Sequence, residues 1–282
     1  MPFAPHSIER LSNGFAQIAR KHLPVPSEDT LVVGRDFARP MALDCVMNFV
    51  GLDPSKSERV AQLSNEFFRC DPAPSPTRRA ILALRLSRLV RQQGSQSAVS
   101  KSLEVSGLIA PLHSTIEDAG EDGIAVALTT LFGNELIVRG ILGCLWLSVN
   151  ESPNLEAVDR SIIDRSIVES RLMYEVYRER ISGCAIGNEN LEDGMRVSLC
   201  PTSTEPRNEE VPHYMPFGYG PHYCLAANLV RSIVTEACNT FLKHFSPTGI
   251  AFLRREEGTL GRPGGVIELH LSVKSRSNRT GT

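Results

Sequence analysis

The chain has 282 residues, of which 41% are hydrophobic and 22% charged, a composition typical of a folded protein with a buried core and not of a disordered chain. Thirty basic and thirty-two acidic side chains give a net charge of -2, which argues against binding of nucleic acid or of an anionic membrane surface. No apolar run reaches the ~20 residues that span a bilayer, and residues 1–11 contain no signal-peptide core, so we expect a cytoplasmic protein.

Helices dominate the predicted N-terminal half. Apolar residues recur there at steps of three and four, which places them on one face of a helix. The predicted helices cover residues 8–23, 37–50, 54–68 and 80–91. Pro24 ends the first of them, and Gly51 is a suitable C-cap for the second. Three prolines predict a loop over residues 69–77, and the polar residues 92–100 are expected to form a connector.

The C-terminal half begins with the longest apolar segment, residues 124–149, which is apolar on nearly all sides and is therefore expected in the core. Its glycines are expected to admit close packing of neighbouring helices; they are Gly133, Gly140 and Gly143. A further helix is predicted for residues 154–178. Short strands are predicted before a polar, frayed tail, and they cover residues 196–200, 250–253 and 266–273. The sequence therefore predicts a mainly α fold with a minor β-sheet.

The chain contains seven cysteines, which is an odd number. They are widely spaced, and none of them form a CxxC pair. They are Cys45, Cys70, Cys144, Cys184, Cys200, Cys224 and Cys238. This spacing argues against a disulfide framework and against a zinc ribbon. Taken alone, each such cysteine is most often a small buried hydrophobic residue.

The segment MPFGYGPHYC combines two glycines, a proline and a cysteine just before a helical pattern. Gly218 and Gly220 predict a tight turn that presents the sulfur of Cys224 at the N-terminus of that helix. Backbone N–H groups at a helix N-terminus favour a thiolate and lower the pKa of the thiol, and a thiolate is a good axial ligand for iron. The alternative is a zinc site shared by His213, His222 and Cys224, for which further ligands at zinc-finger spacing are absent.

This segment, together with the following LAANLVR, resembles the haem-binding loop and the next helix of the cytochrome P-450 superfamily. The resemblance implies that Cys224 is the proximal ligand of haem b, iron protoporphyrin, within a loop that includes Gly218. It also implies that His222 donates to a haem propionate and that Phe217 packs beside the sulfur. One position departs from the pattern, because Ala226 stands where the family usually has glycine.

Further stretches, residues 3–11 and 36–52, resemble bacterial members of the superfamily, so the resemblance covers nearly the whole chain. It implies one P-450-like haem domain over residues 1–273, followed by a polar tail over residues 274–282. The N-terminal part of the family fold has no counterpart, and we expect the domain to lack it. Arg178 lies where the family has a second propionate-binding arginine, although a solvated surface arginine is the alternative.

Other positions depart from the family in ways that bear on activity. Glu135 keeps the acidic position of the oxygen-binding helix, but Leu136 replaces the usual threonine and has no hydroxyl to relay a proton. An ion pair between Glu135 and Arg139, four residues later, is the structural alternative for this carboxylate. The glutamate and arginine of the family's ExxR pair are replaced by Ser170 and Met173.

The resemblance implies a haem-thiolate oxidoreductase, a monooxygenase or peroxide-dependent enzyme, that acts on a small apolar substrate. Its expected electron donor is a ferredoxin-like protein or a flavoprotein. A non-catalytic scaffold that assists another enzyme is an alternative, and a truncated inactive remnant is another. A second chain that supplies the missing N-terminal helices is a further expected partner, and neither nucleic acid nor a membrane is expected.

Overall fold

The computed structural model describes residues 3–25, 30–67, 75–93, 126–128, 130–131, 133–151, 157–169, 176–179, 185–186, 189–190, 196–199, 217, 223–256 and 265–276. The helices are α1 (Pro5–Lys21), α2 (Arg39–Val50), α3 (Ser57–Phe67), α4 (Pro76–Gln93), α5 (Asn134–Glu151), α6 (Arg160–Glu169) and α7 (Ala227–His244), with a π-helix at Gly34–Ala38 and a 3-10 turn at Pro54–Lys56. The strands are β1 (Thr30–Val32), β2 (Val176–Glu179), β3 (Ala185–Ile186), β4 (Glu189–Asn190), β5 (Arg196–Leu199), β6 (Phe245–Glu256) and β7 (Gly265–Ser275). The predicted mainly α fold with minor β-sheet is confirmed.

The ends of α2 and α4 follow from local sequence. Gly51 adopts a left-handed φ of 82°, and the amides of Gly51 and Leu52 bind the carbonyls of Asn48 and Met47, so the predicted C-cap is confirmed. The predicted loop over residues 69–77 is wrong at its end, because α4 already begins at Pro76. Proline is accepted in the first helical turn, and the hydroxyl of Ser75 caps that turn by accepting the amide of Arg78 at 3.2 Å.

Helix α5 lies at the centre of the fold, packed against α2, α6, α7 and the sheet. Gly133 immediately precedes α5, and its carbonyl accepts the amides of Leu136 and Ile137. Two glycines inside the helix allow its neighbours to approach closely. A Cβ atom added to Gly140 would lie 3.1 Å from a methyl group of Val234 on α7, and one added to Gly143 would lie 3.3 Å from the carbonyl oxygen of Ser166 on α6. Close packing at these two glycines is confirmed.

Aromatic contacts join the helices of the core. The fully buried rings of Phe37 and Phe241 lie 5.3 Å apart, and Phe241 also contacts Phe245 at 5.0 Å, where α7 passes into β6. Helix α1 lies along α7 and buries one apolar face. Within the described part of the chain, none of the helices is both long enough and apolar enough to cross a membrane.

The main sheet has the antiparallel order β1-β7-β6, and β2 with β5 and β3 with β4 form separate antiparallel pairs. The predicted helix over residues 154–178 is wrong at its C-terminal end, since residues 176–179 are strand β2 and pair with β5. Val176 and Tyr177 have high strand propensity, and the backbone hydrogen bonds with β5 stabilise the strand over a continued helix. β7 also extends beyond the predicted strand, because Lys274 pairs with Ser246 and Ser275 pairs with Phe245.

Candidate functional site

Cys224 lies immediately before the helical turn that leads into α7. Its amide donates a hydrogen bond of 2.6 Å to the carbonyl of Phe217, which brings the two ends of this segment together. Its own carbonyl accepts the amide of Ala227, the first residue of α7, at 3.2 Å. The sulfur is therefore carried at the start of the helix, as the sequence predicts.

The thiol of Cys224 is only partly buried. Of the four cysteines within the described ranges, Cys45, Cys144 and Cys238 are fully buried, and Cys224 is the one that retains exposure. Burial nevertheless raises the pKa of Cys224 above its ordinary value, while the amides of Ala226 and Ala227 and the charge of Arg231 act in the opposite direction. The predicted lowering of the thiol pKa is wrong in its net direction, because desolvation outweighs the helix N-terminus.

Arg231, whose charge acts on this cysteine, contacts both charged and aromatic side chains. Arg231 of α7 donates from Nε to Oδ1 of Asp164 on α6 at 2.6 Å, and from Nη1 to the Tyr223 hydroxyl at 3.1 Å. Its guanidinium carbon lies 4.6 Å from the ring centroid of the buried Phe217. We call these four residues and Cys224 the Cys224 cluster. Sequence reasoning missed the pair of Arg231 with Asp164, because 67 residues separate the two and no local pattern joins them.

The other predicted haem contacts are only partly covered by the structure. Gly218 and His222 lie outside the described residues, as does His213 of the alternative zinc site. Arg178 lies on β2, where it pairs with Val197 of β5. Phe217 is buried, and its packing against the sulfur stays a prediction. Within the described ranges, no three His, Cys, Asp or Glu side chains form a group that could hold a metal ion.

Glu135 occupies the first turn of α5 and binds two arginines. Arg39 Nη1 lies 2.6 Å from one carboxylate oxygen, and Arg139 Nε lies 3.7 Å from the other. The predicted ion pair with Arg139 is confirmed, whereas the pair with Arg39 had no sequence signal. About one third of the Glu135 side chain remains exposed, at 34%. Leu136 beside it packs against the core, and Ser170 and Met173 lie outside the described residues.

Solved structures share this architecture. CYP108D1 from Novosphingobium aromaticivorans superposes with a TM-score of 0.74 over 98% of this chain and 71% of its own, at 16% identity. P450BioI, in complex with hexadec-9Z-enoic acid ligated acyl carrier protein, gives 0.71 over 97% and 77%, at 17% identity. The cytochrome P450 from Sulfolobus tokodaii gives 0.67 over 98% and 77%, at 18% identity. The fold is that of the cytochromes P450. No protein-family model and no curated protein matches the sequence.

The chemistry of Cys224 fits the haem group that the P450 fold implies. A haem iron of the P450 type takes a single protein ligand, a cysteine thiolate, so one accessible sulfur is the donor set required. Cys224 is partly exposed; burial raises the pKa of its thiol, and two backbone amides together with the guanidinium of Arg231 offset part of that rise. The three buried cysteines of the described ranges do not offer such a sulfur.

Proposed function

We propose that this chain is a haem-thiolate oxidoreductase in which Cys224 holds the iron of haem b. The observation that supports the proposal best is the placement of Cys224 within a P450 fold: a partly exposed thiol at the start of α7, with its amide bound to the carbonyl of Phe217. When bound through a thiolate, haem of this type supplies oxidation chemistry with strong electron donation to the iron.

The chain's own residues then bind and orient the group. Cys224 would supply the thiolate, Phe217 would pack beside it, and Gly218 would belong to the loop that holds the group. His222 and Arg178 donate to the two propionates, since histidine and arginine are suitable partners for carboxylates. These contacts are part of the proposal, and substitution of each residue tests it separately.

Proton delivery is the step that this sequence changes most. We propose Glu135 as the residue that carries a proton, because its side chain is about one third exposed and therefore within reach of water. The neighbouring Leu136 has no hydroxyl to receive that proton, so a relay through this position is absent. A peroxide-dependent oxidation fits this arrangement better than a monooxygenase reaction. The oxygen of peroxide is already reduced by two electrons relative to dioxygen, so the enzyme does not have to deliver those electrons and the accompanying protons. A monooxygenase would need a ferredoxin-like protein or a flavoprotein as electron donor.

The substrate class we propose is a small apolar molecule. P450BioI has been seen with a hexadecenoic acid carried on an acyl carrier protein, and such a chain belongs to this class. We further propose that residues 1–273 act as one haem domain, and that the protein works in the cytoplasm.

Titration with hemin tests the proposal. The purified full chain is expected to bind one haem per chain, with a Soret band that saturates. Cys224→Ser should lose most of this binding, while Leu225→Ala, a change of the exposed neighbour, should bind as the wild type does. A soluble wild-type sample that takes up no haem would remove the proposed enzyme.

The non-catalytic scaffold is a second candidate, favoured by the replacement of the family's proton-relaying threonine and ExxR residues by Leu136, Ser170 and Met173. Under that alternative the protein supports the activity of a partner enzyme. That activity would survive Cys224→Ser, whereas an oxidation carried out by this chain would not.

A further inference from the structure

Arg231 contacts two residues near the ends of the stretch 217–224, which we call the Cys224 segment. Phe217 lies at one end and Tyr223 at the other, next to the cysteine itself. The guanidinium of Arg231 lies 4.6 Å from the Phe217 ring and donates to the Tyr223 hydroxyl at 3.1 Å. A long side chain on a helix points back toward the N-terminus of the helix, which explains how Arg231 reaches residues that precede α7.

Asp164 fixes this guanidinium from outside the segment. The hydrogen bond from Arg231 Nε to Asp164 Oδ1 measures 2.6 Å and is charge-assisted. The Arg231 side chain is 19% exposed, so solvent screens this pair less than it screens an open surface ion pair. Since Asp164 belongs to α6, the pair joins the start of α7 and the Cys224 segment to a second helix.

Arg160 provides an internal comparison. Its Nε lies 3.6 Å from the other carboxylate oxygen of Asp164, but its side chain is 77% exposed and it is not part of the Cys224 cluster. Removal of Arg160 therefore changes the charge near Asp164 and leaves the contacts of Arg231 with Phe217 and Tyr223 in place. The two positions that match the family's ExxR pair hold Ser170 and Met173, which carry neither of its charges.

We propose that Arg231, anchored by Asp164, is the positioning residue of Cys224. It holds Phe217 and Tyr223 in place, and it thereby preserves the backbone hydrogen bond between Cys224 and Phe217 that sets the position of the sulfur. The value of this arrangement for iron ligation rests on the proposed function, whereas the mechanical role of Arg231 does not need haem.

Hydrogen exchange of the haem-free full chain tests the mechanical role. Peptides that contain Cys224 should report slow exchange of its amide in the wild type, because that amide is bound to the Phe217 carbonyl at 2.6 Å. Arg231→Ala should accelerate this exchange by about tenfold or more through local opening, and Asp164→Asn should accelerate it less. Arg231→Lys keeps the charge opposite Asp164 without the planar fork and should recover part of the protection. Arg160→Ala is the matched control and should behave as the wild type.

Haem binding supplies a second readout. If the wild type binds haem, Arg231→Ala should release it faster and should shift part of the carbon monoxide complex away from the thiolate-type Soret band, while Arg160→Ala should do neither. If the wild type binds no haem, the proposed function fails and the exchange experiment still decides the role of Arg231. Equal exchange at Cys224 in Arg231→Ala and Arg160→Ala would overturn the proposal. Should Arg231→Ala fail to fold by circular dichroism, Asp164→Asn decides instead, and wild-type protection in that variant would also overturn it.

Discussion

Glu135 illustrates how one carboxylate serves structure while it remains a candidate for chemistry. Its contact with Arg39 at 2.6 Å joins the start of α2 to the start of α5 across 96 residues of sequence. Both side chains are more than one third exposed, Arg39 at 46% and Glu135 at 34%. An ion pair at this exposure contributes about 0.2–1 kcal/mol, because water and salt screen it.

A double-mutant cycle separates the structural contribution of this pair. Arg39→Gln and Glu135→Gln should each lower the free energy of unfolding slightly, and the coupling between them should be about 0.5–1 kcal/mol in urea denaturation at low salt. The coupling should fall at high salt. A coupling of zero at low salt would mean that the carboxylate does not stabilise the fold through Arg39.

Asp44 is a second residue whose environment determines a measurable property. It lies on α2, buried, and accepts hydrogen bonds from Lys21 at 2.8 Å and from Asn48 at 2.8 Å, while His22 lies 2.9 Å from the same carboxylate. Burial alone raises the pKa of Asp44, but the hydrogen bonds from His22 and Lys21 outweigh it, so the pKa lies below its ordinary value. The end of α1 is thereby tied to α2 by an ionised carboxylate.

The pH dependence of stability follows from this direction. Because the pKa of Asp44 is lower in the folded than in the unfolded chain, its stabilisation is present above about pH 4 and is lost as the pH falls through the folded value. Asp44→Asn should lower the free energy of unfolding at pH 7 by about 1–3 kcal/mol and should flatten its decline in acid. Glu58→Gln, a change of an exposed carboxylate on α3, is the control. An unchanged acid profile in Asp44→Asn would contradict the assignment.

At the scale of elements, α5 depends on small residues to reach its neighbours. Gly143 faces a backbone carbonyl of α6 and Gly140 faces a side-chain methyl of α7. Alanine improves helix propensity at either site by about 1 kcal/mol, so the sign of each substitution depends on whether the neighbour gives way. The carbonyl of Ser166 belongs to a helix backbone and moves only with α6, whereas the Val234 side chain needs to shift by a few tenths of an ångström.

Alanine substitution of the two glycines compares how easily the Val234 side chain and the α6 backbone move aside. Gly143→Ala should lower the free energy of unfolding by about 1–2 kcal/mol, since overpacking against the Ser166 carbonyl exceeds the gain in propensity. Gly140→Ala should cost less, because a side chain adjusts more easily than backbone. Chemical denaturation of both variants measures the difference. Equal or higher stability of Gly143→Ala would show that α6 moves freely.

Elements differ in how far sequence predicts them, for physical reasons. Periodic apolar residues and a C-cap glycine define α2 locally, so its helix and its end at Gly51 are predicted well. The strands β2, β3 and β4 contain two to four residues, too few for a recognisable alternation, and each depends on a partner elsewhere in the chain. The position of Cys224 before α7 is predicted by its own loop, whereas the pair of Arg231 with Asp164 depends on how α6 and α7 meet in three dimensions.

At the scale of the whole molecule, a P450 fold is retained at sequence identities of 16–18% to the solved structures described above. Packing explains how this is possible, because a core accepts many combinations of apolar residues if volume and pattern are kept. Here that core includes Phe37 and Phe241 and the helices around α5. The fold alone does not specify chemistry, so the function rests on the site that the fold carries.

The carbon monoxide complex of the reduced, haem-loaded protein tests the central claim most directly, because the position of its Soret band reports the atom bound opposite the gas. A band shifted to the red, of the kind that thiolate ligation produces, is predicted for the wild type and for Leu225→Ala. It should be absent from Cys224→Ser prepared in the same way. A wild-type complex with an unshifted band, or a shifted band that persists in Cys224→Ser, would contradict ligation by Cys224.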